Sequence, residues 1–206
     1  MGIQNRNFPR KGNAMNKPER RSVQGVELRA VGDGLPVIEG YAAVFNSLSQ
    51  NLGGFRERIE PGAFAVSLHA GADVRALVDH DSAKILGRNK SGTLTVVEDE
   101  HGLKVSIQPP DTSVGRDTVE SIRRGDLDAM SFGFVARDDE VRKENGETIR
   151  VLRAVDLFDV SVVAYPAYLD TSVALRSIEA AKAREDGCEL ATMGMYLDLL
   201  LTETDV

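Results

Sequence analysis

Apolar and polar residues alternate at a period of two through most of this chain, in short runs separated by turn residues. Val26, Leu28 and Ala30 alternate with polar neighbours. Val37, Ile38, Tyr41, Ala43 and Phe45 follow after Gly32-Asp33-Gly34, which predicts two strands joined by a glycine-rich connection. A polar loop over 46–54 leads to a short strand over 55–60, and Pro61 suits the first turn of a helix over Ala63–His69. Val74 to Val78 is a compact apolar strand ending at Asp79-His80-Asp81. Further runs follow at 85–88, at Leu94 with Val96 and Val97, and at Leu103 with Val105 and Ile107, with turn chemistry between them. Strands at about ten-residue spacing predict an antiparallel sheet or barrel.

The period changes to that of a helix over Val114–Arg124, where Val119 and Ile122 share a face. Asp111-Thr112-Ser113 can cap this helix and Gly125 can stop it. Strands resume at Leu127–Val135, which carries Ser131. A charged hairpin spans 138–147 with Asn145-Gly146 as its turn. Thr148–Val155 returns, Leu157–Tyr165 is the most apolar strand, and Pro166 ends it.

The two ends differ from this pattern. Residues 1–22 carry Arg6, Arg10, Lys11, Lys17, Arg20 and Arg21 against Glu19 alone, and Pro9, Gly12 and Pro18 break any period. That predicts a disordered, solvated basic arm. Residues 177–206 hold seven acidic residues against Lys182 and Arg184. A linker followed by a short amphipathic helix over Leu190–Leu201 is expected there. The organisation is thus arm 1–22, domain 23–176 and acidic tail 177–206.

Composition narrows the chemistry. A length of 206 residues suits one medium domain with tails, and a formal charge of −7 argues against a general nucleic-acid binder, which needs a basic face. Cys188 stands alone, so no disulfide forms within one chain and zinc fingers are excluded. No run approaches the roughly 18 apolar residues of a membrane-crossing helix. The basic start has no apolar stretch behind it, and Gly2 is followed by Arg6 where myristoylation wants Ser or Thr. A cytosolic protein is expected. Three scattered histidines give no metal-binding spacing such as His-Glu-x-x-His, and no phosphate-binding glycine loop is present, so neither metal nor cofactor is expected.

What remains is a hydroxyl and an imidazole. Ser131 lies in Met130-Ser131-Phe132-Gly133-Phe134, and Gly133 would let backbone or substrate come close. His80 ends the apolar run Leu77-Val78-Asp79-His80. A Ser and a His at strand ends, far apart in sequence, are the minimum parts of a nucleophile–base pair, although a lone Ser in a strand is ordinarily a packed residue with a satisfied hydroxyl. His69, on the short helix, and His101, in a Glu-His-Gly turn, read as surface histidines. An unrelated esterase is disfavoured because there is no Gly-x-Ser-x-Gly elbow.

Several motifs come in a recognisable order: Gly40-Tyr41-Ala42-Ala43-Val44-Phe45, Glu60-Pro61-Gly62-Ala63-Phe64, Asp79-His80-Asp81, Leu86-Gly87-Arg88, Gly102-Leu103, Met130-Ser131-Phe132-Gly133-Phe134, and Leu157-Phe158-Asp159-Val160-Ser161-Val162-Val163 through Pro166-Ala167-Tyr168. Over residues 23–176 the set resembles the HK97-type prohead (capsid maturation) proteases of tailed phages and prophages. The resemblance implies a serine peptidase related in fold to the herpesvirus assemblins, a mostly antiparallel β-barrel with helices around it. It implies Ser131 as nucleophile and His80 as general base. The implied task is cleavage of a scaffold segment from the major capsid protein inside a new prohead in the host bacterial cytoplasm, often with self-processing. Assemblin-like homo-oligomers would fit; a membrane or a specific nucleic acid is not implied.

Assemblins use a second His downstream of the Ser, but this chain has no His after residue 101. A carboxylate would have to stand in as third member. Asp159 interrupts an apolar strand, where an unpaired charge is costly. Asp156 is the alternative, on the other face at period two, and Asp79 and Asp81 adjoin His80 too closely to receive its ring. The third member stays open. So do the oxyanion donors, with Gly133, the loop 165–168, Arg88 and Arg116 all conceivable. The competing reading is a non-catalytic assembly factor with the same barrel, which predicts Ser131 and His80 far apart. Self-cleavage is expected somewhere after Arg176.

Overall fold

A computed structural model describes residues 18–29 and 35–164. The arm before residue 18, the loop 165–168 and the acidic tail 177–206 lie outside the described residues. Ten strands and two helices follow in order: β1 Glu19–Gln24, β2 Val26–Arg29, β3 Val37–Val44, β4 Arg56–Ile59, α1 Ala65–His69, β5 Arg75–Val78, β6 Asp81–Arg88, β7 Leu94–Glu98, β8 Gly102–Ile107, α2 Ser113–Arg124, β9 Ala129–Glu144 and β10 Glu147–Val163.

The expected closed antiparallel barrel is not what forms. The strands make two sheets, β1-β9-β10-β5-β6 with β4 also on β10, and β2-β3-β8-β7. The first sheet is mixed, because β4 and β5 both run parallel to β10. Closing a barrel requires end strands to pair with each other. Here β1 and β6 end one sheet, and β2 and β7 end the other. The fold is mainly β, and its core is the space between the sheets.

That core explains the period-two pattern. Met130, Phe132 and Phe134 of β9 are fully buried, with Phe132 stacked on Phe134 at 5.0 Å and edge-on to Phe64 at 5.3 Å. Ile38, Leu103, Val105 and Ile107 line the opposing sheet. Since side chains alternate along a strand, Ser131 and Gly133 point away from this core.

Local chemistry sets the element ends. Thr112 caps α2 by accepting from the Gly115 N–H at 3.4 Å, and Gly125 ends it in the left-handed conformation at φ 80°. Asn145 and Gly146, at φ 51° and 85°, make the tight turn that joins β9 to β10. With no break at that hairpin, the separate strands expected over 148–155 and 157–165 are one strand, irregular in register at three places. Between its contacts with β4 and β5, β10 is covered by the start of α1. Val155 N–H donates to the Ala63 carbonyl at 2.9 Å and Leu157 N–H to Ser67 Oγ at 3.0 Å. Backbone groups left between two neighbouring strands are thereby satisfied.

Residues 19–22, expected to belong to the disordered basic arm, are part of β1, and alternate charges of that strand turn inward. Arg150, only 1% exposed, donates to Glu19 at 2.7 Å, Glu57 at 3.0 Å and Asp139 at 2.7 Å. Arg21 donates to Glu57 at 2.7 Å and Glu19 at 2.9 Å and lies 5.4 Å over the Phe134 ring. Burial opposes the charge on Arg150, yet Glu57, Glu19 and Asp139 outweigh it and hold its pKa above the ordinary arginine value. Removing one member of such a cluster strands the others in low dielectric. Arg150→Met is expected to destabilise the fold by about 3–5 kcal/mol in urea unfolding; a loss under about 1 kcal/mol would mean the cluster is effectively solvated.

Candidate active site

Ser131 is the third residue of β9, buried, on the face turned away from the aromatic core. Its two neighbours in the sheet are Ser22 of β1 and Ser161 of β10.

His80 arrives from the β5–β6 hairpin. Val78 pairs with Asp81, so Asp79 and His80 are the two central residues of the turn. Both adopt left-handed backbone, at φ 50° and 56°. Such a two-residue turn requires this conformation at both positions, and Asn-Gly is its usual sequence. A non-glycine residue held there costs on the order of 1–3 kcal/mol, so the surroundings must impose it. Here β10 does so. Asp79 N–H donates to the Val162 carbonyl at 3.0 Å, Asp79 Oδ1 accepts from Ala164 N–H at 3.2 Å, and His80 N–H donates to Ser161 Oγ at 3.2 Å.

The carboxylate comes from an irregularity of β10. Leu157 pairs with Phe134 and Asp159 with Gly133, which leaves Phe158 as an extra residue bulged out of the ladder and 44% exposed. Plain alternation would have put Asp159 on the same face as Leu157, which is buried in the core. The extra residue turns Asp159 onto the face of Ser131 instead. Gly133 makes room for it: a Cβ at 133 would lie 2.3 Å from Asp159 Oδ2. The glycine expected to admit backbone or substrate therefore admits a carboxylate.

These three side chains meet. Ser131 Oγ lies 2.7 Å from His80 Nε2, and Asp159 Oδ1 lies 2.5 Å from His80 Nδ1. An ionised carboxylate can only accept, so Nδ1 carries the ring proton and Nε2 is left to accept from the Ser131 hydroxyl. The His80 side chain is 6% exposed and that of Asp159 is 19%. A hydroxyl, an imidazole and a carboxylate in this chain can move the hydroxyl proton to the ring while the oxygen attacks an electrophilic carbon, with the carboxylate balancing the imidazolium.

The other residues considered are occupied elsewhere. Asp156 is in an ion pair with Arg137. Asp81 Oδ1 accepts from Ala83 N–H at 2.9 Å. Arg88 donates to Asp73 at 2.6 and 2.7 Å, and these bonds bring the Asp73 carboxyl down to about 2. Arg116 is paired with Asp111. His69 is exposed, with Nδ1 2.8 Å from the Ala65 carbonyl, and His101, also exposed, stands edge-on to Tyr41 at 4.6 Å. Among the described residues no group of three His, Cys, Asp or Glu side chains is arranged to hold a metal ion, and no helix is long and apolar enough to cross a membrane. Sequence reasoning missed Ser161, whose signal was the single hydroxyl in the apolar run 157–163, at period two from Asp159.

A buried hydroxyl–imidazole–carboxylate array on a β scaffold is the arrangement of an acyl-transferring hydrolase, and comparison with known proteins gives it a family. The family model described as caudovirus prohead serine protease matches residues 24–184, and the chain belongs to that family. The capsid assembly protease gp21 of bacteriophage T4 is similar in structure, with a TM-score of 0.48 and 12% identity, over 73% of this chain and 100% of that one. No curated protein sequence matches.

The packing at Gly133 separates stability from activity. In Gly133→Ala the new methyl meets the movable end of the Asp159 side chain rather than backbone. Stability measured by thermal unfolding is expected to change by no more than about 1 kcal/mol. Peptide cleavage is expected to fall about 100-fold as the carboxylate is pushed off the ring.

Proposed function

We propose that this protein is a serine endopeptidase that cleaves the scaffold segment of a phage major capsid protein during prohead maturation, with Ser131 as nucleophile, His80 as general base and Asp159 as the orienting third member. The observation that carries the reading is the unbroken hydrogen-bonded chain from Ser131 Oγ through both ring nitrogens of His80 to Asp159. Ser131 Oγ attacks the scissile carbonyl while its proton passes to His80 Nε2. The C–N bond then breaks, and the imidazolium returns that proton to the departing amine, leaving an acyl-enzyme. Water, deprotonated by the same nitrogen, attacks the ester, and the proton goes back to Ser131 as the acid product leaves. Asp159 stays ionised throughout and holds the ring in the tautomer that can accept.

The reading as a non-catalytic assembly factor calls for Ser131 and His80 to be well separated, and 2.7 Å supports catalysis instead. Membership of the prohead protease family supports a capsid substrate and action inside the prohead in the host cytoplasm. The catalytic unit in this proposal is the segment expected at 23–176, extended back to Glu19 by β1 and flanked by a basic arm and an acidic tail. Kinship of fold with the herpesvirus assemblins rests on the ordered sequence motifs, and homo-oligomers remain part of the proposal on the same ground.

Ser131→Ala is expected to leave the fold intact and to abolish processing of a co-expressed capsid protein, read by gel mobility of the capsid chain. Unimpaired processing would overturn the proposal. Asp159→Asn is expected to keep binding while lowering kcat by up to about 10⁴-fold, since the amide favours the wrong tautomer. Self-cleavage after Arg176 is expected as well. Intact mass of the active protein should fall below the sequence value while that of Ser131→Ala does not, and identical masses would count against it.

A further inference from the structure

We propose that Ser161 is a positioning residue of this active site, and that its hydroxyl joins the backbone of the base to the carboxylate that orients it. The inference rests on the Ser131–His80–Asp159 reading and extends it by one group.

Ser161 is fully buried, and its hydroxyl has two described partners. Its Oγ accepts from the His80 backbone N–H at 3.2 Å and donates to Asp159 Oδ1 at 3.1 Å. A serine hydroxyl has one proton to give, and here it is committed to the carboxylate. Asp159 Oδ1 thus receives both the His80 ring N–H and the Ser161 hydroxyl. The imidazole is consequently located twice by one strand, through its backbone by Ser161 and through its ring by Asp159.

The need for this follows from the turn. His80 has positive φ without being glycine, and it projects from a hairpin whose partner strand β6 is an outer strand. A backbone held at positive φ fixes the direction in which the ring leaves the turn, so a tie at the His80 backbone also locates the ring. The Asp79 ties to Val162 and Ala164 hold the first turn residue. Only the bond to Ser161 holds the second by its backbone among the hydrogen bonds described. Ser161 is also in register with Ser131 across β9–β10 and with Leu77 across β10–β5. One residue therefore stands between the nucleophile strand and the strand that delivers the base.

The test is a double-mutant cycle on purified full-length protein, with a capsid-derived peptide as substrate and unfolding measured in parallel. Ser161→Ala is expected to lower kcat about tenfold, roughly the worth of one hydrogen bond, with KM unchanged. In the Asp159→Asn background the same change is expected to cost less than about twofold, because the group it supports is already lost. A merely structural serine would give the same loss in both backgrounds, which would overturn the proposal, as would a Ser161→Ala kcat within about twofold of the parent. Ser161→Thr retains the hydroxyl and is expected to keep kcat within about threefold; a folded Ser161→Thr with the full loss of the alanine variant would also overturn it, and this variant decides the matter should Ser161→Ala not fold. Ser131→Ala is assayed alongside. Activity in that variant would sink the nucleophile assignment itself, whereas an inactive Ser131→Ala beside a fully active Ser161→Ala sinks the role of Ser161 alone.

Discussion

The pairing of β9 with β10 fixes where the Ser131 hydroxyl and the Asp159 carboxylate can be. Ser131 is placed by alternation, because Met130, Phe132 and Phe134 claim the aromatic core and the residues between them must face the other way. Asp159 is placed by the failure of alternation, because Phe158 is surplus to the ladder and turns everything after it onto the opposite face. A regular β10 would keep Asp159 with Leu157, where a carboxylate would be buried among apolar side chains at several kcal/mol. The bulge thus removes a destabilising charge from the core and delivers it to the imidazole by the same displacement.

His80 is held on different terms. Its hairpin turn is in a backbone conformation that neither Asp79 nor His80 favours, and the bonds to β10 add to the β5–β6 pairing in holding it there. Because β5 runs parallel to β10, the end of β5 arrives beside Val162 and Ala164, where unpaired strand-end groups can receive it. An antiparallel neighbour would have brought the other end of β5 there. The mixed character of this sheet, which a plain meander would not have, is what allows the imidazole to lie between Ser131 and the bulged carboxylate.

Much of this was legible from residue pattern, and the unreadable part has a common cause. The strand of Ser131, the cap of α2 at Thr112 and its stop at Gly125, and the Asn145-Gly146 turn are local matters, decided by residues within a few positions of one another. Asp159 could be suspected as a charge in an apolar run, but the period-two argument about its face was defeated by Phe158, since a bulge is a property of two paired strands and not of one. Gly133 looked like an opening for substrate because its true neighbour lies 26 residues away in the chain, at Asp159. Glu19 and Arg21 looked solvated because their partners Glu57, Asp139 and Arg150 are spread along the sequence. Parallel pairing of β4 and β5 with β10 is equally non-local.

β1 shows how far such non-local constraint reaches. All but its last residue precede the span matched by the family model, yet Ser22 pairs with Ser131 and the strand's inward charges join the cluster around Arg150. An apolar edge strand would also be held to one face, since a one-residue slip exposes its apolar side chains, but a two-residue slip would still bury them. Glu19 and Arg21 can meet Arg150, Glu57 and the Phe134 ring only in the observed register, because a one-residue slip would turn both charges outward. The buried charges therefore also specify alignment, and the strand they align is the one flanking Ser131. Position of Ser131 along β9 is in this sense set from both sides, by ion pairs on one edge and by the bulged, hydroxyl-bridged β10 on the other.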